Sequence, residues 1–256
     1  MFHLDQFISQ YVTKRPVSMF SADIEANRDA LTQKIAGKSV LVIGGAGSIG
    51  SSFIKALLPF KPASLVVVDY NENALAELTR DLRSTKGMYV PEDYIPYPMD
   101  FALPVFEKMF RDRGGFDIVG NFSAHKHVRS EKDIYSVEAL LQNNVLHAKR
   151  LLDLLTAFPP EEYFCVSTDK AANPVNIMGA SKRIMEDVIF SYSDKFPVKT
   201  ARFANVAFSN GSLPAGFLAR LSKLQPLSAP SDVRRYSSGL IQLSDSFMRS
   251  SLYQWR

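Results

Sequence analysis

One short segment constrains the fold of this chain more than any other. Residues 39–43 form an apolar, partly β-branched run, and the next seven residues, Gly44 to Gly50, include four glycines. An amphipathic segment then extends from Ser51 to Leu58. Because β-branched residues favour strands and glycines permit tight turns, this pattern predicts a strand, a turn and a helix in succession. Free N–H groups at the start of such a helix attract anions such as phosphates.

The glycines fit nucleotide-binding patterns in two ways. Gly45, Gly47 and Gly50 match G-x-G-x-x-G, whereas Gly44, Gly47 and Gly50 match G-x-x-G-x-x-G. In both alignments the glycines allow the turn, the approach of the backbone to a pyrophosphate and close helix–strand packing. The alternative interpretation is a glycine-rich turn that binds no ligand.

A second apolar run supports the nucleotide interpretation. It covers residues 65–68 and ends at Asp69, whose carboxylate would accept hydrogen bonds from an adenosine ribose and repel a 2′-phosphate. The sequence therefore favours NAD over NADP. Lys86 and the arginines near it keep NADP open as the less favoured cofactor.

Strand and helix signals alternate along most of the chain. The predicted strands are residues 39–43, 64–69, 94–99, 116–122, 163–167 and 198–203. The predicted helices begin near residue 51 and then cover residues 73–86, 103–113, 137–155 and 178–192. This order predicts an α/β fold with a doubly wound, Rossmann-like parallel sheet.

We expect three parts along the chain. Residues 1–37 form an N-terminal extension, residues 38–205 a Rossmann domain that binds NAD, and residues 206–256 a small, partial substrate-binding region that looks truncated. At 256 residues the chain suits one large α/β domain with such an addition.

The composition is that of an ordinary soluble protein and excludes several function classes. Hydrophobic residues make up 46% of the chain, and the net charge of +4 comes from scattered basic residues, which disfavours nucleic acid as a partner. No apolar run has the roughly 18 residues of a membrane span, and no signal peptide is evident, so we expect a cytoplasmic protein. The single cysteine, Cys165, lies in an apolar run and is expected in the core.

Polar residues after the fifth predicted strand form the candidate catalytic centre. Ser167 to Lys170 read Ser-Thr-Asp-Lys, at the edge where open parallel sheets place their functional sites. Lys182 follows Met178 by four residues, so both lie on one face of the next helix. The alternative for Asp169 and Lys170 is a solvated ion pair.

These motifs resemble the polysaccharide-biosynthesis branch of the extended short-chain dehydrogenases, which includes the UDP-N-acetylglucosamine 4,6-dehydratases. The matching strings are Gly47-Ser-Ile-Gly50, Asp69 with Glu72-Asn-Ala-Leu75, Ala124-His-Lys-His-Val128, Asn143-Asn-Val145, Ser167-Thr-Asp-Lys-Ala171 with Asn173-Pro174, and Met178-Gly-Ala-Ser-Lys-Arg183. The resemblance runs from about residue 15 to residue 236. Short-chain dehydrogenases usually carry tyrosine at the position of Met178, but one branch of this family carries methionine, so Met178 supports the resemblance.

The resemblance implies a hydro-lyase that makes a 4-keto-6-deoxy nucleotide sugar for surface polysaccharides. The C4 hydride moves to NAD, water leaves across C5–C6, and the hydride returns to C6. Lys170 is then the C5 base, and Asp169 is the acid, which requires a raised pKa. Thr168 would hydrogen-bond the 4-hydroxyl, and Met178 and Lys182 complete the candidate catalytic set, with Lys182 also ordering the nicotinamide ribose.

The resemblance also implies the binding residues. The cofactor set is Gly44, Gly47, Ser48, Ile49, Gly50, Asp69, Asn71, Asp100, Phe101, Ser123 and Lys182. The substrate set is His125, Lys126, Asn205, Ser212 and Arg235. A helix N-cap is the alternative role of Asp100, Asn144 is expected to be structural, and no metal is expected despite His125 and His127. Asn210 stands where the family usually has a basic residue.

Other functions stay open on the sequence alone. A nucleotide-sugar 4-epimerase or reductase of the same fold is the first, although a simple epimerase has no need of a C5 base. A catalytically impaired NAD-binding protein is the second, favoured by Met178 and by the unusual sequence after residue 236. We expect a homo-oligomer, a dimer or higher, with residues 137–155 and 178–192 pairing between copies.

Overall fold

The fold is known from a computed structural model that describes residues 4–12, 14–15, 17–18, 20–126, 131–229 and 237–238. The six strands of its main sheet are β1 (Ser39–Ile43), β2 (Ser64–Asp69), β3 (Asp93–Pro98), β4 (Ile118–Asn121), β5 (Glu162–Thr168) and β6 (Val198–Phe203). All neighbouring pairs are parallel, in the order β3-β2-β1-β4-β5-β6. The predicted doubly wound Rossmann-like sheet is therefore confirmed.

Helices precede, connect and follow these strands. They are α1 (Leu4–Phe7), α2 (Ser21–Ala26), α3 (Arg28–Ile35), α4 (Ser48–Leu57), α5 (Glu72–Ser84), α6 (Pro104–Asp112), α7 (Ile134–Leu141), α8 (His147–Ala157), α9 (Ile177–Phe190) and α10 (Leu213–Ser222). Shorter turns are π-helical at Ile8–Val12 and Gln142–Leu146, and 3-10 at Leu58–Phe60 and Asp169–Ala171. Within these described stretches, no helix combines the length and the apolar character that crossing a bilayer demands.

Hydrophobic side chains fill both faces of the sheet. Alternate residues of a strand point to opposite faces, so Val40 and Val42 of β1 pack on one side and Leu41 and Ile43 on the other. The first side is covered by α3, α4 and α5, and the second by α6, α8 and α9. Cys165 is fully buried in the second cluster, which confirms its prediction as a core residue.

Two predicted helices differ from those observed. The first begins at Ser48 and not near residue 51. Glycine is a weak helix former, which favours a start after Gly50, but Gly50 lies in the first turn of the observed helix. The long helix predicted over residues 137–155 is α7 and α8 joined by the π turn at Gln142–Leu146. A short second sheet joins β7 (Asn205–Val206) in parallel to β8 (Ser237–Ser238).

The amino-terminal edge of the sheet carries ion pairs. Glu162, the first residue of β5, lies 2.6 Å from Lys199 Nζ and 3.5 Å from Lys34 Nζ. Asp117, just before β4, accepts hydrogen bonds from the Ser39 backbone N–H at 2.7 Å and from its hydroxyl at 2.8 Å. These contacts tie the starts of the central strands together, opposite the edge that holds the glycine turn.

Candidate functional site

The glycine-rich turn joins β1 to α4 at the carboxyl edge of the sheet. Gly44 has a φ of 72°, and a Cβ there would lie 2.8 Å from the backbone nitrogen of Ser123. A Cβ at Gly50 would lie 2.7 Å from the Gly45 Cα, and one at Gly45 would lie 2.5 Å from a methyl carbon of Val67. Each of these positions therefore requires glycine, and both predicted alignments contain required glycines.

The amino end of α4 faces this edge. Gly47 is the N-cap residue in extended conformation, and without a side chain it leaves the helix end uncapped by its own atoms. The first helical hydrogen bond is donated by Ser51 N to Gly47 O at 2.9 Å. The N–H groups of Ser48, Ile49 and Gly50 precede that bond, so they suit a phosphate group. These N–H groups lie at the place where the sequence predicts the pyrophosphate.

Asp69 lies beside the turn, at the end of β2. Its carboxylate accepts hydrogen bonds from the N–H of Ala46 at 3.1 Å and from the N–H of Asn71 at 3.0 Å. Two bonds leave further lone pairs on this half-exposed carboxylate, so it can also accept from ribose hydroxyls. The Asn71 side chain caps α5 by accepting from Ala74 N at 3.1 Å, so it acts structurally here.

Asp100 and Phe101 follow β3. Asp100 is exposed and accepts from Ala102 N at 2.9 Å, while the N-cap residue of α6 is Leu103, so Asp100 is not the helix cap considered as an alternative. Phe101 packs edge-to-face on Phe106, with ring centroids 6.3 Å apart, and its side chain belongs to the core. Phe101 can therefore serve a cofactor only through its backbone.

The loop after β4 is held by Asn144. The Asn144 side chain accepts from His125 N at 2.9 Å, donates to His125 O at 2.9 Å and donates to Ser181 Oγ at 3.1 Å. Asn144 is almost fully buried, so its expected structural role agrees with its surroundings. Ser123, earlier in the loop, donates its N–H to Asn121 Oδ1 at 3.0 Å and lies against Gly44.

A chain of hydrogen bonds connects this loop to α4 through Asn210. Lys126 Nζ donates to Asn210 O at 2.8 Å, and Asn210 N donates to Ser48 Oγ at 2.9 Å. Although much of Lys126 is exposed, partial desolvation of its ammonium lowers the pKa. The structure thus links a predicted substrate residue, Lys126, to a predicted cofactor residue, Ser48, through the backbone of Asn210.

Thr168, Asp169 and Lys170 form a hydrogen-bonded cluster at the end of β5. Asp169 Oδ1 accepts from Thr168 Oγ1 at 2.9 Å and from Lys170 Nζ at 3.1 Å. Partial burial raises the pKa of the Asp169 carboxyl, but the hydrogen bonds from Lys170 and Thr168 outweigh it and hold that pKa below its ordinary value. The expected raised pKa is therefore wrong for this arrangement, in which the two residues form the half-exposed ion pair of the alternative.

Met178 and Lys182 lie buried on one face of α9, as their spacing predicts. Lys182 Nζ donates to Val166 O of β5 at 3.1 Å, and burial lowers its pKa against the opposing influence of Cys165 and Glu186. Met178 N donates to the Glu131 carboxylate at 2.6 Å. No local sequence pattern predicts this role of Glu131, because Met178 is 47 residues away along the chain.

The remaining predicted substrate residues lie after β6. Asn205 opens β7, and Ser212 caps α10 by accepting from Ala215 N at 3.3 Å. Arg235 and His127 lie outside the described residues. In the described part of the chain, no three histidine, cysteine or acidic side chains are grouped to hold a metal ion.

A family model described as "Polysaccharide biosynthesis protein" matches residues 40–245. The capsular polysaccharide biosynthesis protein CapD of Staphylococcus aureus is 30% identical over 197 residues, which is 74% of this chain and 32% of CapD. A UDP-N-acetylglucosamine 4,6-dehydratase (inverting) of Campylobacter jejuni is 27% identical over 200 residues, 75% of this chain and 57% of that enzyme. The chain thus spans about a third of CapD and somewhat over half of the dehydratase.

Solved structures agree with the fold. The crystal structure of a UDP-glucuronic acid 4-epimerase from Bacillus cereus, in complex with UDP-glucuronic acid and NAD, superposes with a TM-score of 0.67. It is 18% identical and covers 83% of this chain and 71% of its own. At that identity the likeness establishes the shared architecture.

Proposed function

Since this chain belongs to the polysaccharide biosynthesis protein family, we propose that it takes part in an NAD-dependent nucleotide-sugar 4,6-dehydratase reaction, with UDP-N-acetylglucosamine as the substrate. The single observation that carries the proposal is the Thr168–Asp169–Lys170 cluster, on the same sheet edge as the glycine turn. A reaction that only moves a hydride to and from C4 has no use for a base and an acid at C5 and C6.

The described residues suit a dinucleotide. The uncapped amino end of α4 suits the pyrophosphate, and the free lone pairs of Asp69 suit the adenosine ribose, which favours NAD over NADP. When bound, NAD would supply the oxidation of C4 and the later return of its hydride to C6. Because the hydride returns within one cycle, the reaction consumes no cofactor.

The polar cluster would carry the proton transfers. Thr168 hydrogen-bonds the 4-hydroxyl. Lys170 is the cation of the ion pair with Asp169, so it first passes a proton to Asp169 and then, as a neutral amine, takes the C5 proton once the 4-keto group has made it acidic. Asp169 is the anion of an ion pair here, so its service as the acid for the 6-hydroxyl requires the bound sugar to exclude water and part it from Lys170. His125, Lys126, Asn205, Ser212 and Arg235 would line the sugar side.

The proposal extends to the location and organisation of the chain. We assign residues 38–205 to the cofactor and residues 206–256 to the substrate, with residues 1–37 as an extension. We place the reaction in the cytoplasm, since its nucleotide-sugar substrate is charged and water-soluble, and we expect the protein to be a homo-oligomer.

Incubation with NAD and UDP-N-acetylglucosamine tests the function. We expect a 4-keto-6-deoxy product that has lost one water, detected by mass spectrometry. Lys170→Ala should abolish it, whereas Lys195→Ala, which removes an exposed lysine paired with Asp194, should not. A mass-neutral product would indicate an epimerase, and an unchanged yield with Lys170→Ala would contradict the assigned base.

A further inference from the structure

Glu131 links the loop after β4 to the amino end of α9. Its Oε1 accepts the hydrogen bond from Met178 N at 2.6 Å. Met178 is the second residue of a helix that is 14 residues long, so this carboxylate lies at the positive end of the helix dipole. Hydrogen bonds from a backbone N–H to an ionised carboxylate are among the stronger ones in proteins.

A second connection joins the same loop to the same residue of α9. Asn144 brackets the backbone of His125 and donates to Ser181 Oγ at 3.1 Å. Ser181 Oγ in turn donates to Met178 O at 2.8 Å. The backbone of Met178 is therefore bonded to Glu131 through its N–H and connected to His125 through its O, by way of Ser181 and Asn144.

The first turn of α9, which contains Met178, packs against the backbone of the Thr168–Lys170 cluster. In the first turn of α9, Gly179 N donates to Asn176 Oδ1 at 2.8 Å. A Cβ at Gly179 would lie 2.7 Å from Lys170 O, so this turn packs closely on the Lys170 backbone. Whatever holds Met178 therefore also sets the position of the loop relative to Lys170.

We propose that Glu131 is a positioning residue that fixes His125 and Lys126 against the Thr168–Lys170 cluster for binding of the nucleotide sugar. This inference rests on the proposed function. Glu131 acts through the backbone of Met178, so its removal shifts the sugar side of the site. Asp69 bonds to Ala46 and Asn71, and neither it nor the amino end of α4 is bonded to Glu131 or Met178, so we expect NAD affinity to change far less than sugar affinity.

The test compares Glu131→Ala, Glu131→Gln and the neighbouring Lys132→Ala. With Glu131→Ala we expect the KM for UDP-N-acetylglucosamine to rise roughly tenfold or more, as loss of a charged hydrogen bond predicts. The dissociation constant of NAD, measured by calorimetry, should change less than twofold. Glu131→Gln keeps an oxygen acceptor and should restore most of the affinity, and Lys132→Ala removes an exposed charge and should behave as the native protein.

Several results would overturn the proposal. One is an unchanged KM in Glu131→Ala; another is a parallel loss of NAD affinity in that variant. A third is failure of Glu131→Gln to restore the KM while it folds normally by circular dichroism. If Glu131→Ala does not fold, the KM of Glu131→Asp, whose shorter side chain draws back from Met178, decides in the same way. If no dehydration occurs, the proposed function fails, but calorimetry still measures the affinity for UDP-N-acetylglucosamine in each variant. The positioning role of Glu131 is then tested by that affinity alone.

Discussion

Gly44 and Gly37 have nearly the same backbone conformation but different surroundings. Their φ angles are 72° and 74°, in the left-handed region that side chains disfavour. At Gly44 a Cβ would lie 2.8 Å from Ser123 N and 2.9 Å from the Phe122 carbonyl carbon, whereas at Gly37 nothing lies within 4 Å. The two residues therefore separate the cost of the conformation from the cost of the close approach.

Gly44→Ala should destabilise the protein far more than Gly37→Ala. Both variants incur about 1–2 kcal/mol for the left-handed conformation. Gly44→Ala must also push the turn away from the loop after β4, so we expect a total above about 3 kcal/mol and weak NAD binding. Urea unfolding gives the free energies and calorimetry the NAD affinity. Equal losses in the two variants would show that crowding at Gly44 has no cost.

Single residues were predictable where the signal is local. The glycine turn and Asp69 follow from residues adjacent in sequence, and the structure places them together as expected. The protonation of Asp169 was not predictable, because it depends on hydrogen bonds from Thr168 and Lys170 whose geometry only the folded chain fixes. The roles of Asn71 and Ser212 as helix caps likewise depend on where α5 and α10 begin.

Among the helices and strands, α9 and β6 are joined by a well-formed ion pair. Arg202 Nε donates to Glu186 Oε1 at 2.9 Å, and its terminal nitrogen donates to Oε2 at 2.5 Å. Glu186 is buried, which raises the pKa of its carboxyl, but the hydrogen bonds and charge of Arg202 outweigh burial and lower that pKa overall.

The stability of the fold should therefore depend on Glu186 in acid. A carboxyl whose pKa is lower in the folded state stabilises the fold above its unfolded pKa, near 4.3, and loses that contribution as pH falls toward the folded value. Glu186→Gln should flatten this fall and cost about 2 kcal/mol at pH 7. Glu77→Gln is the control, because Glu77 pairs with Arg80 where both side chains are 72% exposed. Thermal unfolding from pH 3 to 7 measures both, and equal pH profiles would refute the expectation.

The helical segment that carries Asn144 shows why periodicity alone does not predict where a helix is interrupted. Its apolar residues recur at helical spacing, which predicts one helix over residues 137–155. A π turn holds one extra residue, which rotates the side chains beyond it relative to an uninterrupted α-helix. Asn144 lies in that π turn and is buried, bonded to His125 and Ser181. No residue type marks the extra residue of the π turn, so the turn is seen only in the folded structure.

Considered as a whole, the molecule exposes large apolar side chains on α7, on the π turn that follows it and on α9. Ile134 is 74% exposed, and Leu146 and Ile184 are each 46% exposed. Leu146 and Ile184 lie on the two segments, residues 137–155 and 178–192, that we expect to pair between copies. Apolar patches of this kind are costly in water and are frequently covered by a partner.

If that face joins two copies, Leu146→Glu with Ile184→Glu should give a monomer. Charges buried in an apolar interface without partners disfavour association strongly. Val105→Glu is the matched control, since Val105 of α6 is 51% exposed on a different helix. Light scattering after size exclusion gives the mass of each variant. A native mass for the double variant, or a monomeric native protein, would contradict pairing through this face.

The ion pairs at the amino-terminal edge are far from the Thr168–Lys170 cluster, to which we assign the proton transfers. Glu162 opens β5 and Thr168 ends it, and six steps of about 3.3 Å separate them by roughly 20 Å. At physiological ionic strength charges are screened beyond about 8 Å, so the pairs of Glu162 with Lys34 and Lys199 exert almost no field on Lys170. Substitutions at that edge can alter the thermal stability of the fold without shifting the pH optimum of the proposed reaction. Evolution can therefore adjust thermal tolerance and chemistry independently, at opposite ends of the same strand.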